Sequence, residues 1–223
     1  MHLQAWNTIR SDPRIASLGA IQSLFEGSMY TFVFLWTPAL SPNGEQIPHG
    51  FIFALFMLAC MIGSSIAAKL LVNVENVPVE NYMRYVFGVS AAALFIPVLL
   101  RASGMNAMAD KEGGLTVAGS VLLLGFLIFE GCVGVFWPSI MKMRSTYIPE
   151  ESRSTIMNFF RIPLNMFVCI VLYNVSAFEI STMFTMCSGF LGVAAFLQHK
   201  LLGMSKLPSA PRRAIGGGLS ILA

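Results

Sequence analysis

The chain has 223 residues, of which 56% are hydrophobic and 11% charged, with a mean hydropathy of +0.71. An ordinary soluble domain carries about 25% charged residues, so this composition excludes a soluble globular protein and points to an all-α protein of the lipid bilayer. The formal charge of +3 does not indicate nucleic acid, because the basic residues stand in the gaps between apolar runs, where they act as topology signals.

Residues 1–14 hold Asn7, Arg10 and Asp12 and no apolar core, so they are expected to be a cytosolic amino-terminal segment rather than a signal peptide. The first spanning helix then serves as its own insertion signal. Six stretches of about 20 mostly apolar residues follow, at 16–40, 50–72, 82–100, 115–141, 155–177 and 180–202. Together they define a transmembrane domain over 15–202. Residues 203–223, with Pro208, Pro211, Arg212, Arg213 and Gly216-Gly217-Gly218, read as a disordered cytosolic tail. With both termini in the cytosol, eleven basic residues fall on the inner side against only Arg101 and Lys111 outside. That asymmetry sets the orientation of a multi-pass protein, expected in the plasma membrane. The one remaining basic residue, Arg161, lies inside the fifth span.

One short sentence occurs twice. Phe25-Glu26-Gly27 runs on to Trp36-Thr37-Pro38, and Phe129-Glu130-Gly131 runs on to Phe136-Trp137-Pro138. The copies fall on the first and fourth spans, which divides the chain into two triplets entering the membrane from opposite sides, as inverted repeats do. Glu26 lies twelve residues beyond Arg14 and Glu130 twelve before Lys142, which sets both about 18 Å from their inner anchors, near the midplane. Trp36 and Pro38 would stand at the outer face, Trp137 and Pro138 at the inner one. Such prolines can kink the helix ends that open and close a pathway, which makes these four residues gating candidates.

An ionisable group at membrane depth is costly and usually faces a partner or water. On the first span, Gln22, Glu26, Tyr30, Val33 and Thr37 recur at three- and four-residue steps and so share a face. That stripe lines an aqueous cavity or supplies hydrogen bonds between helices; a carboxylate is a dear choice for the second use. On the fifth span, Asn158, Arg161 and Asn165 share a face, with Pro163 beside the arginine. Two roles stay open for Arg161. Its guanidinium is a planar fork of donors suited to an oxyanion, and its long side chain could also reach Glu130 as a structural ion pair.

Cys60, Cys132, Cys169 and Cys187 sit in apolar runs without metal-ligand spacing and are read as small hydrophobes. No phosphate-binding glycine loop, Ser/His/Asp set or HExxH pattern is present, so neither an enzyme nor a cofactor is expected.

The run from Leu24 to Leu40, then Gly63-Ser64-Ser65, Phe136-Trp137-Pro138-Ser139, Ile148-Pro149-Glu150 and Asn158-Phe159-Phe160-Arg161-Ile162-Pro163-Leu164 resembles the molybdate-anion transporter branch of the major facilitator superfamily. The likeness covers most of residues 15–200 and is to the carboxyl-terminal half, helices seven to twelve. It implies uptake of molybdate or a similar oxyanion by alternating access between two six-helix halves. It also implies a partner, either an amino-terminal six-helix half or another copy. A fragment, the product of a truncated reading frame and half of a two-chain assembly are all consistent with it. The superfamily's loop signature after the second helix survives here only as Gly63 and Lys69. Two buried carboxylates and one arginine would repel a dianion in a low-dielectric cavity. Protonation of Glu26 or Glu130 would remove the conflict, with Arg161 as the anion contact, although another half could equally supply positive charge. The competing reading is a non-transporting membrane fragment or a membrane protein that binds a partner.

Overall fold

The computed structural model describes residues 2–72, 77–105, 108–109, 114–174 and 177–205, and among these every named element is a helix. In chain order they are α1 (His2–Ser11), α2 (Pro13–Leu40), α3 (His49–Val72), α4 (Val79–Ala102), α5 (Val117–Tyr147), a 3-10 turn (Glu150–Ser152), α6 (Arg153–Tyr173) and α7 (Ile180–Ser205). Each expected span falls on one of α2 to α7. Of the tail expected over 203–223, residues 203–205 continue α7 and residues 206–223 lie outside the described residues.

Local chemistry sets the boundaries. Asp12 caps α2 by accepting from Arg14 N at 2.9 Å, with Pro13 in the first turn, where a missing N–H is harmless. Burial pushes the Asp12 carboxyl up, but the side-chain and backbone hydrogen bonds from Arg14, with its charge, bring it net below its ordinary value. Thr116 caps α5 by accepting from Gly119 N at 3.1 Å. Asn174 ends α6, its Nδ2 donating back to Ile170 O at 2.8 Å. Pro38, Pro97, Pro138 and Pro163 lie inside helices that continue through them.

Five segments are long and apolar enough to cross a membrane: His49–Val72, Val79–Ala102, Val117–Tyr147, Glu150–Val171 and Ile180–Ser205. α2 is not among them. Its 28 residues include Gln22, Ser23, Glu26, Ser28 and Thr31, and it compensates by being the most widely packed helix, against α1, α5, α6 and α7.

The core is aromatic. Phe25 of α2 stacks on Phe136 of α5 with ring centroids 4.0 Å apart and also on Phe129, while Phe32 meets Phe129 and Phe126 edge-on at 5.0 Å each. These pairs run in opposite chain directions, so α2 and α5 are antiparallel. Around them α7 packs on α2 and on α4, α4 on α5, α3 on α5 and α6 on α2. The last two approaches are close and parallel. A methyl on Gly63 would overlap the Gly131 carbonyl and one on Gly134 the Cys60 carbonyl, while the ring of Phe160 lies directly on Gly19. Only residues without a side chain permit the α3 and α5 backbones to come so near, or seat the Phe160 ring on α2. Polar pairs tie one end of α4, α5 and α7 together: Tyr82 to Ser139 at 2.8 Å, Tyr147 donating to Glu80 at 2.6 Å, and Gln198 Nε2 donating to Glu80 O at 3.2 Å.

Candidate functional site

Glu26 follows the stacked Phe25 and is 3% exposed. Gln22 Nε2 donates to its Oε1 at 2.6 Å, while Gln22 Oε1 is buried without a partner. One turn on, the stripe expected on this face divides. Tyr30 and Val33 are exposed and Thr37 is half-buried. The reason is the cover given by α6, whose Phe160, Leu164 and Phe167 reach Gly19 and Gly27.

Glu130 is 7% exposed and lies at the α3–α5 contact, within electrostatic range of Cys60. The ion pair entertained between Glu130 and Arg161 does not form: among the described residues the side-chain salt bridges are Arg14–Asp12 and Arg101–Glu179. The packing explains this, since α6 lies along α2 and not along α5. Asn158, Arg161 and Asn165 are all exposed at the spacing of one helix face, while Ile156, Met157, Leu164 and Val171 of the same helix are buried.

The gating candidates stand at opposite ends of the bundle. Trp36 packs edge-on against His49 and Phe56, at 5.8 and 5.3 Å, where α3 begins. Pro38 lines a cavity of about 380 Å³ with Pro97, Arg101 and Ser181. Trp137 and Pro138 are half-buried and adjoin Ser139, bonded to Tyr82 near the start of α4. The free thiols of Cys132 and Cys187 are buried, and Cys169 is exposed.

Two residues read from sequence only as topology signals lie within reach of these groups. Arg144 on the last turn of α5 has Arg161, Glu26 and Arg153 within electrostatic range. Arg153 opens α6 and donates from Nη2 to Ile148 O at 3.4 Å, and Ile148 N in turn donates to Arg144 O at 3.0 Å. The sequence does carry a signal for this grouping, three arginines within eighteen residues around one short turn with Pro149.

Residues 2–126 match a major-facilitator family described as sugar transporters with 12 transmembrane segments. The chain belongs to the major facilitator superfamily. Within that superfamily it is 31% identical over 187 residues to the molybdate-anion transporter of Xenopus laevis, covering 79% of this chain and 37% of the relative. The corresponding proteins of Takifugu rubripes and Danio rerio are 29% and 28% identical over 160 residues, in each case 72% of this chain and 31% of the relative. The chain thus spans about a third of the length of the curated relatives it matches. No solved structure matches it.

Proposed function

We propose that this membrane transporter chain acts as the carboxyl-terminal six-helix half of an oxyanion carrier, moving molybdate or a similar tetrahedral anion by alternating access. The observation that carries the reading is the open face of α6. Asn158, Arg161 and Asn165 are exposed on a helix otherwise apolar enough to span. Lipid cannot solvate such a face, so it borders a water-filled path, and its guanidinium suits a tetrahedral anion. The relatives named as molybdate-anion transporters supply the substrate.

The helix pairing supports an inverted repeat that exchanges α2, α3, α4 with α5, α6, α7. Under that exchange the α2–α7 contact becomes α5–α4 and the α3–α5 contact becomes α6–α2, and all four are packed pairs. The phenylalanines keep the same register. Phe25 and Phe129 are 104 residues apart, as are Phe32 and Phe136, so the Phe25–Phe136 stack and the Phe32–Phe129 contact are counterparts. Trp36 with Pro38 and Trp137 with Pro138 then sit at opposite mouths, as gates should. In this reading the mouth near Trp137 is cytosolic, both termini are cytosolic and the membrane is the plasma membrane, following the distribution of basic residues. Glu26 or Glu130, both buried, carries the proton, and Tyr30 completes the open face on α2. The partner that closes the path is an amino-terminal six-helix half or another copy.

Purified chain in lipid nanodiscs and in proteoliposomes provides the test. The expected result is molybdate binding in the discs, measured by equilibrium dialysis, without uptake into vesicles by the chain alone. A stable monomer that transports molybdate unaided would overturn the half-carrier reading, and absence of binding would overturn the substrate.

A further inference from the structure

We propose that Arg144 and Arg153 join Arg161 in a single anion site at the junction of α5 and α6, in which Arg144 holds the second negative charge of a free tetrahedral dianion. The inference rests on the proposed oxyanion contact at Arg161 and extends it to residues outside the exposed α6 face.

The junction is short. Only Ile148, Pro149 and the turn Glu150–Ser152 separate the two helices, and Ile148 ties the ends together, donating to Arg144 O and accepting from Arg153. This brings guanidiniums from the last turn of α5 and the first turn of α6 to one place. Arg161 lies two turns deeper on α6, about 12 Å along the axis from Arg153, and is still within electrostatic range of Arg144, as is Glu26 from α2. Around Arg144, two further guanidiniums and one carboxylate lie within electrostatic range, an excess of two positive charges for the group. Glu150 and Glu151 in the turn do not offset it: both are exposed and neither is among the charges acting on Arg144.

The donors point to a ligand. Nε of Arg144 and Nε of Arg153 are both buried without a hydrogen-bond partner. An arginine that only marks the membrane surface turns its head group to water; here both Nε atoms lack an acceptor, as Arg84 Nε does elsewhere, but only these two stand together at one turn, with Arg153 Nη2 on Ile148 O. A doubly charged oxyanion supplies acceptors for both and matches the charge excess. Positive charge at the last turn of α5 is also favoured by the helix dipole, which offsets part of the cost of grouping like charges.

Molybdate and perrhenate are tetrahedral oxyanions of similar size carrying two and one negative charges, so their affinity ratio reads the second charge alone. The experiment measures both Kd values by equilibrium dialysis at fixed ionic strength, for the full chain in phosphatidylcholine nanodiscs. Arg144→Gln is expected to weaken molybdate about ten- to a hundredfold, the loss of one charge-assisted contact, and to weaken perrhenate less, since a monoanion feels half the attraction, so the molybdate-to-perrhenate affinity ratio falls. Arg144→Lys should retain most of the molybdate preference, because the charge stays and only the fork is lost. Failure of the wild-type chain to bind molybdate overturns the oxyanion reading and this proposal with it. Weakening in Arg161→Gln, with an unaltered molybdate-to-perrhenate ratio in Arg144→Gln, overturns this proposal alone. If Arg144→Gln does not fold, Arg153→Gln decides: a lowered ratio supports the site and an unchanged one overturns it. A phosphomonoester lipid offers the same chemistry, so a second set of discs contains phosphatidic acid. Unchanged molybdate affinity there supports a free-anion site, and abolished binding overturns it in favour of a lipid headgroup.

Discussion

Gly63→Ala and Gly134→Ala are expected to destabilise the bundle, each through the same contact. The added methyl at Gly63 meets the Gly131 carbonyl and stands 3.1 Å from Val135 N, and the one at Gly134 meets the Cys60 carbonyl and stands 2.9 Å from Ser64 N. Backbone atoms cannot rotate away as a side chain does, so α3 and α5 must separate. Overpacking of this kind costs about 1–3 kcal/mol. Separation also stretches the bond from Ser64 Oγ to Gly134 O, 3.1 Å long, worth about 0.6 kcal/mol in a membrane. A single variant should therefore lose about 2 kcal/mol, roughly a thirtyfold shift in the folded-to-unfolded ratio. The double variant should lose less than the sum, since helices already parted admit the second methyl. Gly189 and Gly192 on α7 have nothing within 4 Å of an added methyl, so alanine there should be neutral or gain up to about 1 kcal/mol. Equilibrium unfolding in mixed micelles of increasing dodecyl sulfate, followed by circular dichroism, measures all five. Wild-type stability in both Gly63→Ala and Gly134→Ala would refute the close approach of α3 and α5.

Arg161→Lys keeps the charge and loses the fork, so it should lower molybdate affinity at near-normal abundance, by dialysis and immunoblot. Glu130→Gln should not reduce the folded amount, because no ion pair is broken; a drop in abundance that Arg161→Met restores would revive the structural pair and remove Arg161 from substrate contact. A cysteine placed in the loop between Ser41 and His49 should react with an impermeant thiol reagent on intact cells, and one near Arg144 should not; the reverse pattern inverts the topology. Asp12→Ala should cost about 1 kcal/mol through the lost cap, read by the same unfolding titration. Because the folded Asp12 carboxyl titrates below its ordinary value, its contribution is present at neutral pH and declines as pH falls through that lowered value.

Helix positions were legible because lipid imposes a length and an apolar composition on any span, but their ends were not. α5 runs to Tyr147, past Lys142 and Arg144, since an apolar window reports depth in the bilayer and the hydrogen-bond ladder continues into water. α6 stops at Tyr173 rather than at residue 177, where Asn174 turns its amide back on Ile170. Residues 2–11 form a helix whose Trp6 reaches Phe159 of α6 at 6.2 Å, a contact that no period in the sequence announces. Along the α2 stripe Gln22 and Glu26 are buried while Tyr30 and Val33 are exposed, because periodicity assigns a residue to a face but not to the neighbour that covers it. Arg144 and Arg153 escaped for the same reason. Each reads alone as a boundary marker, and only the turn at Ile148 brings Arg144 beside Arg153 and within electrostatic range of Arg161.

The polarity of α2 bears on how the chain is made. A nascent helix carrying Gln22 and Glu26 gains little by partitioning into lipid on its own, and the rings that would shelter it, Phe129 and Phe136, belong to a helix whose synthesis begins some hundred residues later. Until α5 and α6 emerge, α2 is best held at the protein–lipid boundary of the insertion machinery or by a membrane chaperone. Its integration is therefore tied to translation of the downstream helices. Interruption of synthesis between α4 and α5 would leave stranded a helix that is not apolar enough to span by itself, a ready signal for quality control.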